Sequence, residues 1–134
     1  ALYQHDRNVP MFVKLAPDLA KHQIRDLVRI AQDSGFDGVI ATNTTILRKN
    51  LVSHEQSQAG GMSGMPLFKV ALETVSVIRN IAGPNYPIIG VGGISGIQDA
   101  REMLNAGADL LQIYTSFIYQ GPLVIKQILK ELDS

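Results

Sequence analysis

A few short stretches of this chain carry the residue types and spacings that could do chemistry. Lys14 stands inside the apolar run Phe12-Val13-Lys14-Leu15. An unpartnered ammonium is costly to bury, so its side chain should reach an open mouth and meet an anionic or electron-rich ligand. Thr42-Asn43-Thr44-Thr45 follows a second apolar run, and the Asn43 amide offers a donor and an acceptor in fixed geometry, which suits an amide- or imide-bearing ring. Gly60-Gly61-Met62-Ser63-Gly64, Gly92-Gly93 and Tyr114-Thr115 each sit where an element gives way to a loop or helix. Glycines there let backbone N–H groups approach an anion with no Cβ in the way. These stretches read as neighbouring exits able to hold a phosphorylated ligand, with Ser63 adding a hydroxyl.

Other chemistries find little support. His5, His22 and His54 are scattered, without metal-ligand spacing, and no metal site is expected. No Ser/His/Asp arrangement is evident, and the carboxylates fall on expected helices and loops. The chain offers parts that hold a ligand but no credible general base, so no catalytic residue is assigned.

The elements that must position these residues alternate between strand and helix. Residues 11–15, 38–42, 87–91 and 110–114 read as strands. The first is ended by Pro17, and the third and fourth are almost continuously apolar, as in a parallel sheet covered by helices. The first helix is expected to be capped by Asp18, to bury Ile24, Leu27, Val28 and Ala31, and to stop at Gly35. Pro66 suits the first position of the second helix, with Leu67, Ala71, Thr74, Val75 and Ile78 inward. Ser95 and Gln98 suggest a capping box for a third, carrying Ala100, Met103 and Leu104. Gly121-Pro122 opens a last helix with Ile125, Ile128, Leu129 and Leu132 inward. About 20 residues without clear period separate Thr45 from Met65, far longer than most such connections, so a binding loop or lid is expected there.

Repeated strand–helix units with phosphate-capable exits after the last two strands point to a (β/α)8 barrel. A complete barrel needs about 250 residues, and this chain has 134. The expected fold is therefore α/β, the C-terminal half of a TIM barrel, residues 1–134 forming four parallel βα units. Such a half has two open sheet edges and a bare inner face, which favours self-association.

Charge and composition narrow the partners. Lys+Arg and Asp+Glu are both 12, so no basic field draws nucleic acid and no polybasic tract marks a membrane surface. Absence of Cys excludes disulfides and thiolate chemistry within the chain. No apolar run approaches the roughly 18 residues of a membrane span.

The ordered set Val13-Lys14-Leu15-Ala16-Pro17-Asp18-Leu19, Ile40-Ala41-Thr42-Asn43-Thr44-Thr45, Gly60-Gly61-Met62-Ser63-Gly64-Met65-Pro66-Leu67, residues 87–94 and Gln112-Ile113-Tyr114-Thr115 resembles class 2, quinone-dependent dihydroorotate dehydrogenase over nearly the whole chain. Each motif is modest alone, but their order is specific, and class 1 enzymes look less similar around Lys14 and Thr42. The resemblance implies an FMN enzyme of pyrimidine biosynthesis that oxidises dihydroorotate to orotate and passes electrons to a quinone. It implies FMN contacts from Lys14, Thr42, Ser63, Gly64, Val91, Gly92, Gly93, Tyr114 and Thr115, and substrate contacts from Asn43 and Thr44. It also implies peripheral attachment to the bacterial cytoplasmic membrane, or alternatively the mitochondrial inner membrane, through a region upstream of this chain.

Two departures matter. The family's catalytic base, a Ser on a polar loop, has no counterpart here, so this chain alone is expected to be inactive. Met62 and Met65 stand where the family suggests Leu and a polar residue. A competing reading is a flavin-free phosphate-binding barrel, a lyase or isomerase, which accounts for Gly92-Gly93 but not for Lys14 with residues 42–45.

Overall fold

The computed structural model describes residues 9–48 and 58–133. Its strands are β1 (Phe12–Leu15), β2 (Gly38–Ala41), β3 (Ile88–Val91) and β4 (Leu110–Gln112), and its helices are α1 (Lys21–Asp33), α2 (Phe68–Ala82), α3 (Ile97–Asn105), α4 (Thr115–Gln120) and α5 (Leu123–Leu132). A 3-10 turn over Met65–Leu67, with Pro66 inside it, leads into α2. The strands form one parallel sheet in the order β1-β2-β3-β4. Parallel neighbours joined by helical crossovers give the expected α/β, half-barrel arrangement.

Alternation along each strand sends one set of side chains toward the helices and the other to the opposite face. Leu15, Val39, Ala41 and Ile88 are buried against Ile24, Val28, Ala31, Ala71, Val75, Ile78 and Met103. Full burial of each Leu, Val, Ile or Met side chain among these contributes about 1.5–3 kcal/mol. Gly90 lets α3 approach, since a Cβ there would lie 2.6 Å from the Met103 side chain. On the opposite face Phe12 lies beside Gly38, whose missing Cβ would stand 2.4 Å from the Phe12 ring. Ile40, Ile89 and Leu110 follow on that face by register, and Leu110 is 62% exposed. No helix of the described chain covers this side.

The end of the sheet where strands begin is closed by polar contacts. Arg79 of α2 donates to the carbonyls of Gly107, Gly83 and Tyr86 and to the Asp109 carboxylate. Asp109 also accepts the Ile88 N–H at 2.8 Å, and Asp37 accepts the Met11 N–H at 2.7 Å. The Tyr86 hydroxyl donates to the Phe36 carbonyl.

Several local expectations change. Ala20, not Asp18, is the N-cap of α1, and the Gln23 side chain takes the Ala20 N–H. The N-cap of α3 is Gly96, and Asp99 rather than Gln98 accepts from the Ser95 N–H and hydroxyl. Leu27, Ile125 and Leu129 are exposed, because the helical period marks an apolar stripe wider than the neighbours available to cover it. In α5 the buried residues are Val124 and Ile128. The fourth strand stops at Gln112, Tyr114 caps α4, and this short helix has no counterpart in the sequence reading.

Candidate functional site

The strand C-termini open into one cleft of about 1000 Å³. Lys14, Thr42, Asn43, Thr44, Ser63, Gly64, Val91, Gly92, Gly93, Tyr114 and Thr115 all line it. The structure thus brings together residues spread over nearly the whole chain.

Each is placed by a strand end or a tight backbone approach. Lys14 is exposed, on the open face of β1 beside Ile40, and has no ion pair among the described residues. The Thr42 N–H donates to the Val91 carbonyl and the Asn43 N–H to the Leu15 carbonyl, both at 2.7 Å, which fixes this segment across three strands. The Ala41–Thr42 peptide is cis. Thr42 is 2% exposed, and its hydroxyl is the one buried side-chain polar atom without a partner among the described residues. Leaving a buried hydroxyl unpaired costs about 1–3 kcal/mol, so a ligand that supplies its partner recovers that cost. Asn43 lines the cleft, and its Oδ1 accepts the Thr44 N–H at 2.9 Å, which commits the oxygen and leaves Nδ2 as a donor.

Glycines bring the opposite walls together. Gly64 has φ +79°, and a Cβ on it would come within 3.1 Å of the Thr115 side chain. Gly93 has φ +73°, and a Cβ on it would lie 2.7 Å from the Gly64 carbonyl and 2.8 Å from the Phe68 nitrogen. No larger residue fits this conformation and space. The Thr115 hydroxyl lies 3.0 Å from the Ser63 hydroxyl, tying the two walls. Ser116, buried beneath them, donates to the Ile94 carbonyl at 2.7 Å and fixes the turn into α4.

The long connection starts and ends at the cleft. Thr45 and Met62 form an antiparallel bridge with N–H···O contacts of 3.1 and 2.7 Å. The Arg48 guanidinium donates to the carbonyls of Gln58 and Gly60, drawing the two described arms together. The middle of the expected lid, residues 49–57, lies outside the described residues.

Sequence reasoning did not assign Gln112, Ser95 and Gln120, which also line the cleft. Gln112 carried a signal like that of Lys14, a polar side chain in an otherwise apolar strand. Gln120 reaches the Ser95 carbonyl from α4, a helix the sequence reading lacks. No carboxylate or imidazole lines the cleft among the described residues, and these contain no group of His, Cys, Asp or Glu able to hold a metal.

Comparison with known proteins shows the family to which the chain belongs. The chain is 47% identical over 125 residues to a dihydroorotate dehydrogenase (quinone) of Christiangramia forsetii, covering 93% of this chain and 37% of that protein. It is 47% identical over 131 residues to the protein of the same name in Pseudoalteromonas translucida, covering 96% and 39%. A crystal structure of DHODH from Eimeria tenella in complex with ferulenol superimposes with a TM-score of 0.88 at 39% identity, covering 96% of this chain and 35% of that one. The chain therefore spans well under half the length of these relatives. The family model for dihydroorotate dehydrogenase matches residues 1–134, and the chain belongs to that family.

Proposed function

We propose that this chain is the C-terminal half-barrel, residues 1–134, of an FMN-dependent enzyme that oxidises dihydroorotate to orotate with a quinone as electron acceptor, in pyrimidine biosynthesis. The observation that carries this reading is the convergence at the cleft: among the described residues, its lining joins Thr42, whose buried hydroxyl has no partner, Lys14, which has no counter-charge, and Gly64 and Gly93, whose positive φ and close contacts admit no Cβ. A phosphorylated cofactor with a polar ring fits that donor set.

Bound FMN supplies the acceptor for the electron pair removed from the substrate. The backbone N–H groups of Gly64, Gly93, Tyr114 and Thr115 hold its phosphate, with Ser63, Val91 and Gly92 along the same wall. Lys14 would meet the cofactor's polar ring, where its ammonium would offset negative charge. The Thr42 hydroxyl finds its partner on the cofactor. Asn43 and Thr44 hydrogen-bond the substrate ring, Asn43 through Nδ2. The cleft's described lining lacks a carboxylate or imidazole to take the substrate proton. The resemblance to dihydroorotate dehydrogenases puts the proton acceptor, a Ser on a polar loop, in the part of the longer protein that this chain does not cover, and on this reading the chain alone is inactive.

The same longer protein carries the peripheral membrane contact. No helix among the described residues is long and apolar enough to cross a membrane. The bacterial relatives favour the cytoplasmic membrane of a bacterium over the mitochondrial alternative. The family match also removes the support for a flavin-free lyase or isomerase.

The test is an FMN titration followed by flavin fluorescence, on this chain and on a chimera in which it replaces the matching segment of the Christiangramia forsetii protein. The chimera should bind FMN saturably and oxidise dihydroorotate, and the chain alone should not turn over substrate. A folded chimera without FMN would contradict the proposal. Without its upstream strands the chain exposes edges β1 and β4 together with Leu27, Ile30 and Leu129, surfaces that admit a second copy. A solution mass near twice 14.6 kDa supports that pairing, and a folded monomer contradicts it.

A further inference from the structure

Asp18 lies in the turn between β1 and α1, where its sequence position suggests a helix cap. The Ala20 N–H that opens α1 is taken by Gln23, and the Asp18 carboxylate reaches instead to the next strand exit. One oxygen accepts the Thr45 hydroxyl proton, and the other accepts the Ile46 N–H at 3.1 Å. With its proton committed to Asp18, Thr45 Oγ1 is free to accept the Leu47 N–H, at 3.0 Å. Thr45 is itself 2% exposed and paired through its backbone with Met62.

These contacts place Asn43 and Thr44 between two anchors. Upstream, the N–H groups of Thr42 and Asn43 are tied to Val91 and Leu15. Downstream, Thr45 is tied to Asp18 and Met62. Between them the Thr44 side chain occupies the space a Cβ on Gly61 would fill, 1.8 Å from its hydroxyl. Among the described residues, the hydrogen bonds of Asp18 go to Thr45 and Ile46 and none joins it to the glycine cradle.

We propose that Asp18 is a positioning residue for the substrate: through Thr45 it holds Asn43 and Thr44 in the geometry that binds the dihydroorotate ring, without acting on the cofactor. This rests on the assignment of Asn43 and Thr44 as substrate contacts. A carboxylate is required because both oxygens must accept. An amide can take the Thr45 hydroxyl but presents N–H to the Ile46 N–H.

The test uses the full-length chimera, loaded with FMN. Asp18→Asn should raise KM for dihydroorotate and Kd for orotate about tenfold, while FMN content and the reduction rate at saturating substrate stay within about threefold. Thr45→Ala should reproduce this effect, Thr45→Ser should restore most of the affinity, and the double variant Asp18→Asn with Thr45→Ala should be no worse than either single change. An unchanged KM in Asp18→Asn overturns the inference, as does a parallel loss of FMN, which would make Asp18 a general structural support. An unsubstituted chimera that folds but neither holds FMN nor oxidises dihydroorotate defeats the functional reading itself, and this inference with it.

Discussion

The two ends of the sheet are built on opposite terms. Where the strands begin, polar groups are matched: Arg79 spends its guanidinium on three carbonyls and Asp109, and Asp37, Asp109 and Tyr86 each meet a backbone group. Where they finish, the Thr42 hydroxyl is buried without a partner, Lys14 lacks a counter-ion among the described residues, and glycines hold backbone walls within contact of each other. Matched polar groups support the fold. Unmatched ones at a cleft are free to be completed by a ligand.

Substitutions can break that contrast, the largest first. Gly93→Ala puts a Cβ against the Gly64 carbonyl and the Phe68 nitrogen at a left-handed φ. It should cost about 3–4 kcal/mol of stability and abolish FMN binding, as read by chemical denaturation and flavin content. Arg79→Ala should cost about 3 kcal/mol, mainly through carbonyls left without a donor, because Asp109 is half exposed and the ion pair itself contributes little. Its FMN affinity, measured below the shifted melting temperature, should be unchanged. Lys14→Met should reverse this pattern in the full-length chimera: a stability change under about 0.5 kcal/mol, with kcat for dihydroorotate reduced about a hundredfold.

The smallest effect concerns Tyr86. Burial, and secondarily the Asp37 carboxylate, raise its pKa above 10.0. The folded state then keeps the phenolic proton at a pH where the unfolded chain has lost it. That contribution is complete below pH 10.0 and is lost as pH rises through the folded pKa. Tyr86→Phe should remove this alkaline loss and cost about 1 kcal/mol at neutral pH, measured by denaturation across a pH series.

Much of the cleft was legible in the sequence because its parts are local. Lys14 is anomalous within its own strand, Gly92-Gly93 marks a turn by itself, and Thr42 to Thr44 follow directly from β2. What escaped depends on partners distant in the chain. Asp18 has the look of a cap, and only the folded position of Thr45, 27 residues away, shows its real partner. Leu27, Ile125 and Leu129 satisfy a helical period, yet which stripe is covered depends on which helices stand alongside. Asp99 displaced Gln98 because Gly96 set the helix start.

Thr42→Val removes the unpaired hydroxyl at almost constant volume and so asks whether that group serves the fold or a bound cofactor. We expect ligand-free stability of the full-length chimera to hold or rise, because a buried polar atom without a partner is lost, while FMN affinity falls about tenfold because the cofactor loses its hydrogen bond. Opposite signs for the two quantities would place the Thr42 hydroxyl at the service of the ligand. A loss of ligand-free stability, or an FMN affinity left unchanged, would contradict the account.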